Sequence, residues 1–329
     1  MNLTSIRSSL EDRQLAIYFL AIAMAGATAW ARSDTDGLST AIEPLLAVML
    51  FVTFLQVPLI ELGRALSNLR FLAALLLTNF LVVPVFVAVL LPWLPSDPMV
   101  RIGILLVLLT PCIDYVVTFA HLGKADAKSL LASTPLLLGL QMLLLPLYLR
   151  VFMGDAAEGL VQWRPFLHAF IWLIAAPLAL AAICQAWGTR TRAGARVVEG
   201  LGILPVPATA VVLYAVIAAV APQLGSALSA VKQVVPIYVI YAVIAPLLGW
   251  IVARASDLSP EQGRSVAFSA GTRNSLVVLP LGLAIPGALP LIPAVIVTQT
   301  VVELISELIY IRVLPRFGAS VSRPRSPYS

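Results

Sequence analysis

"TPCIDYVV", residues 110–117, sets a proline, a cysteine and an aspartate in the middle of an otherwise apolar run. Proline removes an intrahelical hydrogen bond and crowds the preceding turn. A carboxylate at the centre of a membrane helix costs roughly 3 kcal/mol on insertion scales. Both residues together in one run point to a helix interrupted for a purpose.

The surrounding composition says which solvent the run meets. The chain has 329 residues, of which 60% are hydrophobic and only 11% charged, and its mean hydropathy is +0.98. These values belong to an integral membrane protein. About 20 apolar residues cross the hydrocarbon core, and ten such runs stand at roughly 14–32, 40–60, 70–94, 102–122, 127–150, 165–188, 200–221, 233–253, 264–286 and 290–312. The first run follows the polar segment "MNLTSIRSSLEDRQ" and is read as a transmembrane helix, not a cleaved leader. Assigning alternate connections to opposite sides puts Arg32, Arg101, Arg150, Arg164 and Lys232 on one side and leaves Arg273 inside a span. All the other basic residues of the 21 share the side of both termini, so the expected topology has both ends cytoplasmic in the cell membrane. The net charge of +5 is then a matter of topology and calls for no nucleic-acid partner.

Ten runs divide after the fifth, at the polar connection "VFMGDAAEGLVQWRP". Because five is odd, the second half enters the bilayer in the opposite sense. The expected fold is an all-α integral membrane protein of ten transmembrane helices, built as two inverted five-helix repeats over residues 1–152 and 153–329. The fourth run of each half is irregular: Pro111 breaks one, and Gly271-Thr-Arg-Asn-Ser275 with Pro280 interrupts "AFSAGTRNSLVVLPLGLAIPG" in the other. Paired interruptions predict discontinuous fourth and ninth helices that cross near the midplane and line a cavity.

Five ionisable residues fall inside spans: Glu43, Asp114, Arg273, Glu303 and Glu307. Asp114 and Arg273 occupy the two interrupted spans with opposite sign and are expected to face one another at the crossing, either as a structural pair or in contact with solute. Glu303 and Glu307 are four apart and share one face of the tenth helix, an arrangement suited to relaying a proton. Glu43, near the outer end of its run, reads as interfacial. Cys112 beside the break is a candidate ligand for a soft solute, whereas Cys184 reads as packing. Thr134, Gln141, Gln299 and Thr300 are weaker candidates for cavity lining. Two cysteines support neither a disulfide framework nor a multi-cysteine metal site, and no G-x-x-x-x-G-K-[ST] is present. No cofactor and no metal are expected. One aspartate inside a span does not make an intramembrane aspartyl protease, so the expectation is a carrier and not an enzyme.

"PCIDYVVTFAHLGKADA", "FSAGTRNSLVVLPLGLAIPG" and "TQTVVELISELIY" resemble the corresponding stretches of the arsenite-efflux carriers, within the superfamily that also holds the bile-acid/sodium symporters. The resemblance implies a core of crossed broken helices supported by a panel, a reactive cysteine at Cys112, and family polar positions at Asn274 and Glu303. It also implies a secondary transporter exporting arsenite or a related trivalent thiophilic oxyacid, with a proton ahead of sodium as coupling ion. The alternative it leaves open is uptake of a small organic anion with Arg273 as counter-charge. Departures from the family pattern are Pro111 in place of an arginine, Asp114 in place of a small apolar residue, Arg273 in place of an asparagine, and Leu276 in place of an acid. Against the sodium symporters, ligand positions become Ser269, Arg273, Asp114 and Tyr115, so Arg273 is read as a built-in positive charge. Oligomeric state is not legible.

Overall fold

Short polar connections in this chain double as helix caps. The computed structural model describes residues 3–31, 36–56, 68–113, 115–154, 167–168, 170–220 and 224–318, which are helical throughout apart from connections and one isolated backbone bridge. After the polar helix α1 (Leu3–Asp12) come α2 (Gln14–Ala31) and α3 (Asp36–Gln56). Asn68 caps α4 (Leu69–Trp93) by accepting from Phe71 N, and Asp97 caps α5 (Pro98–Leu108) through Met99 N and Val100 N, with Pro98 where no amide is needed. After α6 (Val116–Leu122), Asp126 caps α7 (Ala127–Met153) through Ser129 N. Next are α8 (Ala176–Arg190), α9 (Arg192–Leu201, capped by Thr191), α10 (Pro205–Val220) and α11 (Leu224–Ala255). Ser259 caps α12 (Pro260–Gly271), and α13 (Ser275–Leu283) and α14 (Leu291–Val313) follow.

Outward-facing side chains identify the solvent. Leu77, Leu81, Val85 and Val89 on α4, Val239, Val243, Leu247 and Ile251 on α11, and Ile305, Ile309 and Val313 on α14 are all exposed and recur every four residues. Continuous apolar stripes of that kind, backed by a buried face, are made for hydrocarbon and not for water. Among the described residues four segments are long and apolar enough to cross alone: Leu69–Trp93, Ala127–Met153, Ala227–Ala255 and Leu291–Arg316. A fifth crossing is formed if α9 and α10, bent by 41°, count as one. The runs expected at 102–122 and 264–286 each become two half-helices, α5 with α6 and α12 with α13, because Pro111 and the Thr272–Asn274 segment end the first half of each. The connection after α8 is itself helical: α9 keeps Arg192, Arg196 and Glu199 exposed and turns into α10 at Pro205.

The helices sort into two layers by their packing. In one, α3 packs on α8 and α10, and α2 on α10; in the other, α11 packs on α12 and α14, while α14 meets α5 and α13, and α6 meets α7 and α12. Two close approaches tighten the second layer. A β-carbon at Gly249 of α11 would lie 2.8 Å from Val266 O of α12, and one at Gly123, after α6, would lie 2.2 Å from the Phe268 ring. The same rim is tied by Asp126 N donating to Glu261 O at 3.1 Å, and by the Arg264 guanidinium donating to Pro315 O and Phe317 O beyond α14.

Candidate functional site

The two interruptions meet. Cys112 N donates to Thr272 O at 3.1 Å and Asn274 N donates to Thr110 O at 2.9 Å, a reciprocal antiparallel bridge centred on Pro111 and Arg273. Peptide groups freed by breaking each helix thus satisfy one another, as they must away from water. The arrangement aligns Thr110-Pro111-Cys112 with Thr272-Arg273-Asn274. Each threonine closes its half-helix the same way, Thr110 Oγ1 on Leu106 O at 2.8 Å and Thr272 Oγ1 on Phe268 O at 2.7 Å. This threonine match is a signal in the sequence that span hydropathy does not register.

Arg273 is fully buried, and α4 supplies its neutral partner. Residues Thr78–Val82 of α4 form a π-turn, followed by Pro84, whose missing amide leaves Phe80 O for the Tyr148 hydroxyl at 2.7 Å. Asn79 in this turn accepts from Arg273 Nη2 at 2.8 Å and donates to Ser269 Oγ at 2.9 Å. Nη2 also donates to Ser269 O and to Ala270 O at 2.9 Å, and Nη1 reaches Leu108 O at 3.5 Å. The guanidinium therefore sits where the carboxyl ends of α5 and α12 converge, as a cation suits helix C-termini. The Tyr241 ring lies 5.6 Å from its central carbon. Among the described residues Arg273 enters no ion pair, and its Nε has no partner. Asp114, the partner expected from the sequence, lies outside the described residues.

One face of α14 reads the second interruption. Glu303 Oε2 accepts from Arg273 N and from Gln299 Nε2, each at 2.6 Å, and Oε1 accepts from the Tyr115 hydroxyl. One turn on, Glu307 Oε1 accepts from Thr272 Oγ1, while Oε2 is buried without a partner among the described residues. Ser275 donates to Gln299, and Asn274 Nδ2 reaches Gln141 Oε1 at 3.5 Å. The structure so gathers Cys112, Arg273, Asn274, Glu303 and Glu307 at one crossing, with Cys112 buried there. Glu43 is exposed on α3, Cys184 is half-buried, and Thr134 and Thr300 bond backward to Leu131 O and Ile296 O of their own helices. Asn79, Thr272 and Tyr241 are participants that sequence reasoning passed over. A lone asparagine within "LLLTNFLVV" was the available signal for the first.

Beside the crossing lie two cavities. The larger, about 440 Å³, is bounded by α1, α3, α6 and α7; the smaller, about 40 Å³, by α1, α2, α3, α10 and residues around Tyr115.

Half-helices that meet end to end inside a shell of lipid-facing stripes define a multi-pass membrane transporter of the broken-helix kind. The family model for the sodium bile acid symporter family matches residues 43–226, more than half of the chain, and the chain belongs to that family of membrane transporters. No curated protein matches the chain. The matched stretch takes in the first interruption and Cys112, while Arg273 and the α14 carboxylates lie beyond it.

Proposed function

We propose that this transporter exports arsenite, or a related trivalent thiophilic oxyacid, in exchange for protons, through ten transmembrane helices arranged as two inverted five-helix repeats (1–152 and 153–329) with both termini cytoplasmic in the cell membrane. The observation that carries the reading is the crossing itself, where the Cys112 amide bonds to Thr272 O and the neighbouring Arg273 amide bonds to Glu303. A soft thiol ligand and a protonatable carboxylate are thereby joined to one hinge by two backbone hydrogen bonds. Attack of the thiol sulfur on a trivalent arsenic centre forms an As–S bond, and the displaced hydroxide leaves with the thiol proton as water; water reverses the step on release, with no change of oxidation state. Glu303 carries the proton that moves the other way.

Arg273 supports this choice over the organic-anion alternative. Its Nη donors bond to Asn79 and to the carbonyls of Ser269, Ala270 and Leu108, leaving only Nε without a partner among the described residues, and it stands as a cation at the two helix ends. Export in its presence is expected to be indifferent to exchanging sodium for potassium.

Arsenite accumulation in cells with and without the chain tests the reading. Wild type lowers accumulation, Cys112→Ser and Glu303→Gln abolish the effect, and Cys184→Ser leaves it intact. Unchanged export by the Cys112 variant, or strict sodium dependence in sealed vesicles, overturns it.

A further inference from the structure

A groove of about 490 Å³ runs between α11 and α14 on the face turned to hydrocarbon. Its rims are the exposed stripes of the two helices, Val239, Val243 and Leu247 on one side and Ile305, Ile309 and Val313 on the other. Ala242, Ser306 and Tyr310 form the floor, where the hydroxyls are already engaged. Pro246 has no amide to close on Ala242 O, so the Tyr310 hydroxyl donates there, and Ser306 Oγ donates to Val302 O at 2.8 Å. Such walls fit a hydrocarbon chain. The floor also backs onto the second interruption: a β-carbon at Gly271, next to Thr272, would lie 2.8 Å from Pro246 Cγ and 2.9 Å from Tyr310 Cε2.

An apolar groove does not choose among lipids, because acyl chains are as apolar as the side chains that line it. Selection falls to its mouth. At one end Leu314 and Phe317 close the lining, and the Phe317 ring meets Trp250 edge-on, 5.3 Å between centroids. Arg254 lies one turn past Trp250 on α11, Arg312 stands on the Ile309 side of α14, and Arg316 directly precedes Phe317. All three are exposed, and among the described residues none enters an ion pair. Arg312 Nη1 bonds to Leu308 O at 2.6 Å and Arg254 Nη1 reaches Leu258 O at 3.5 Å, which leaves each guanidinium further donors. The carboxylates next in sequence to Arg254 are Asp257 and Glu261, and Glu261 is taken by Arg264 at 3.1 Å. Guanidinium groups match phosphate oxygens in geometry and charge. A second copy docked here about a two-fold axis would bring its own three arginines to the same end, like charge against like. We propose that the groove seats an acyl chain of an anionic phospholipid, with the headgroup phosphate held at Arg254, Arg312 and Arg316. The seat stands on α11 and α14 and does not depend on which solute is carried.

Purified full-length protein in a nonionic detergent provides the test, by thermal shift with added dioleoyl phosphatidylglycerol, dioleoyl phosphatidylcholine or inorganic phosphate at matched concentrations. Phosphatidylglycerol is expected to raise the melting temperature of wild type, and phosphatidylcholine and free phosphate to leave it unchanged. Arg254→Gln combined with Arg316→Gln, and separately Ser306→Phe, which fills the floor, should each need at least a tenfold higher phosphatidylglycerol concentration for the same shift. Equal responses to the two lipids, an equal response to free phosphate, or no response to any of them overturns the proposal, as does loss of the response in only one of the two variants or in neither. A wild-type dimer that Ser306→Phe splits assigns the groove to a second copy and overturns it as well. Should Ser306→Phe fail to fold, Val243→Trp on the exposed rim blocks the groove in its place.

Discussion

The two interruptions share a backbone design and differ in what holds them open. At Thr110–Cys112 the break is covalent: Pro111 has no amide to give, and the flanking Thr110 O and Cys112 N make the bridge. At Thr272–Asn274 nothing covalent prevents a helix. The break is held by Glu303 on the Arg273 amide, Glu307 on the Thr272 hydroxyl, and the Arg273 side chain folded back on Asn79 and the carbonyls of its own half-helix. One break is passive, and the other is kept by groups whose charge can change. Among the described residues both carboxylates bear on the second break, and Glu303 reaches the first as well by accepting from Tyr115.

Removing the charged keystone should have the largest effect. Arg273→Gln leaves Asn79 and several carbonyls without their donor, each costing ~1–3 kcal/mol when buried, so detergent melting should show a loss of at least ~3 kcal/mol. The same experiment settles the Asp114 partnership. If Asp114 pairs with Arg273, Asp114→Asn combined with Arg273→Gln recovers stability relative to the sum of the single changes, since directly coupled sites are non-additive. Additive losses dissolve the pair.

A smaller effect separates the two threonines. Thr272→Val removes the hydroxyl from Glu307, whose other oxygen has no partner among the described residues, and should cost roughly 1–2 kcal/mol. Thr110→Val loses only backward bonds to Leu106 O and Val107 O and should stay within ~0.5 kcal/mol in the same melt. Equal losses would mean that the carboxylate contact adds nothing and that the asymmetry is only in the sequence.

The smallest effect is expected at the passive break. Pro111→Ala keeps both bridge hydrogen bonds, since neither uses residue 111, and should change stability by no more than ~1 kcal/mol, largely through the unfolded chain, with transport retained. A Pro111→Ala melt as damaged as that of Arg273→Gln would show that both breaks need active support.

What the sequence disclosed and withheld follows from the same asymmetry. Pro111 and Arg273 were legible because each is costly in an apolar run, and a costly residue announces itself. Glu303 and Glu307 were legible as a pair because i,i+4 spacing fixes a shared helix face wherever that face points. Asn79 was easily passed over, since an uncharged amide in a membrane helix ordinarily bonds to its own backbone, as its Nδ2 also does to Leu75 O, and its reach to Arg273 comes with the π-turn and Pro84 behind it. Gln14 and Tyr18 were hidden for a different reason: they lie at the start of α2, where polar residues are cheap, and their cavity exists only through packing of α2, α3 and α10 around Tyr115. Hydropathy marked apolar runs but not the half-helices within them, because a broken run and a whole one have the same composition.

At the rim of the second layer, the tie between Asp126 N and Glu261 O and the seating of Gly123 on Phe268 acquire a mechanical meaning beside the central bridge. Shears riveted at the pivot and bound at the handles do not open. Any displacement that keeps these bonds carries α5, α6, α12 and α13 as one block, and relative motion falls to their contacts with α2, α3 and α10, which the two polar cavities part locally while α13 still packs on α3 and α14 on α10.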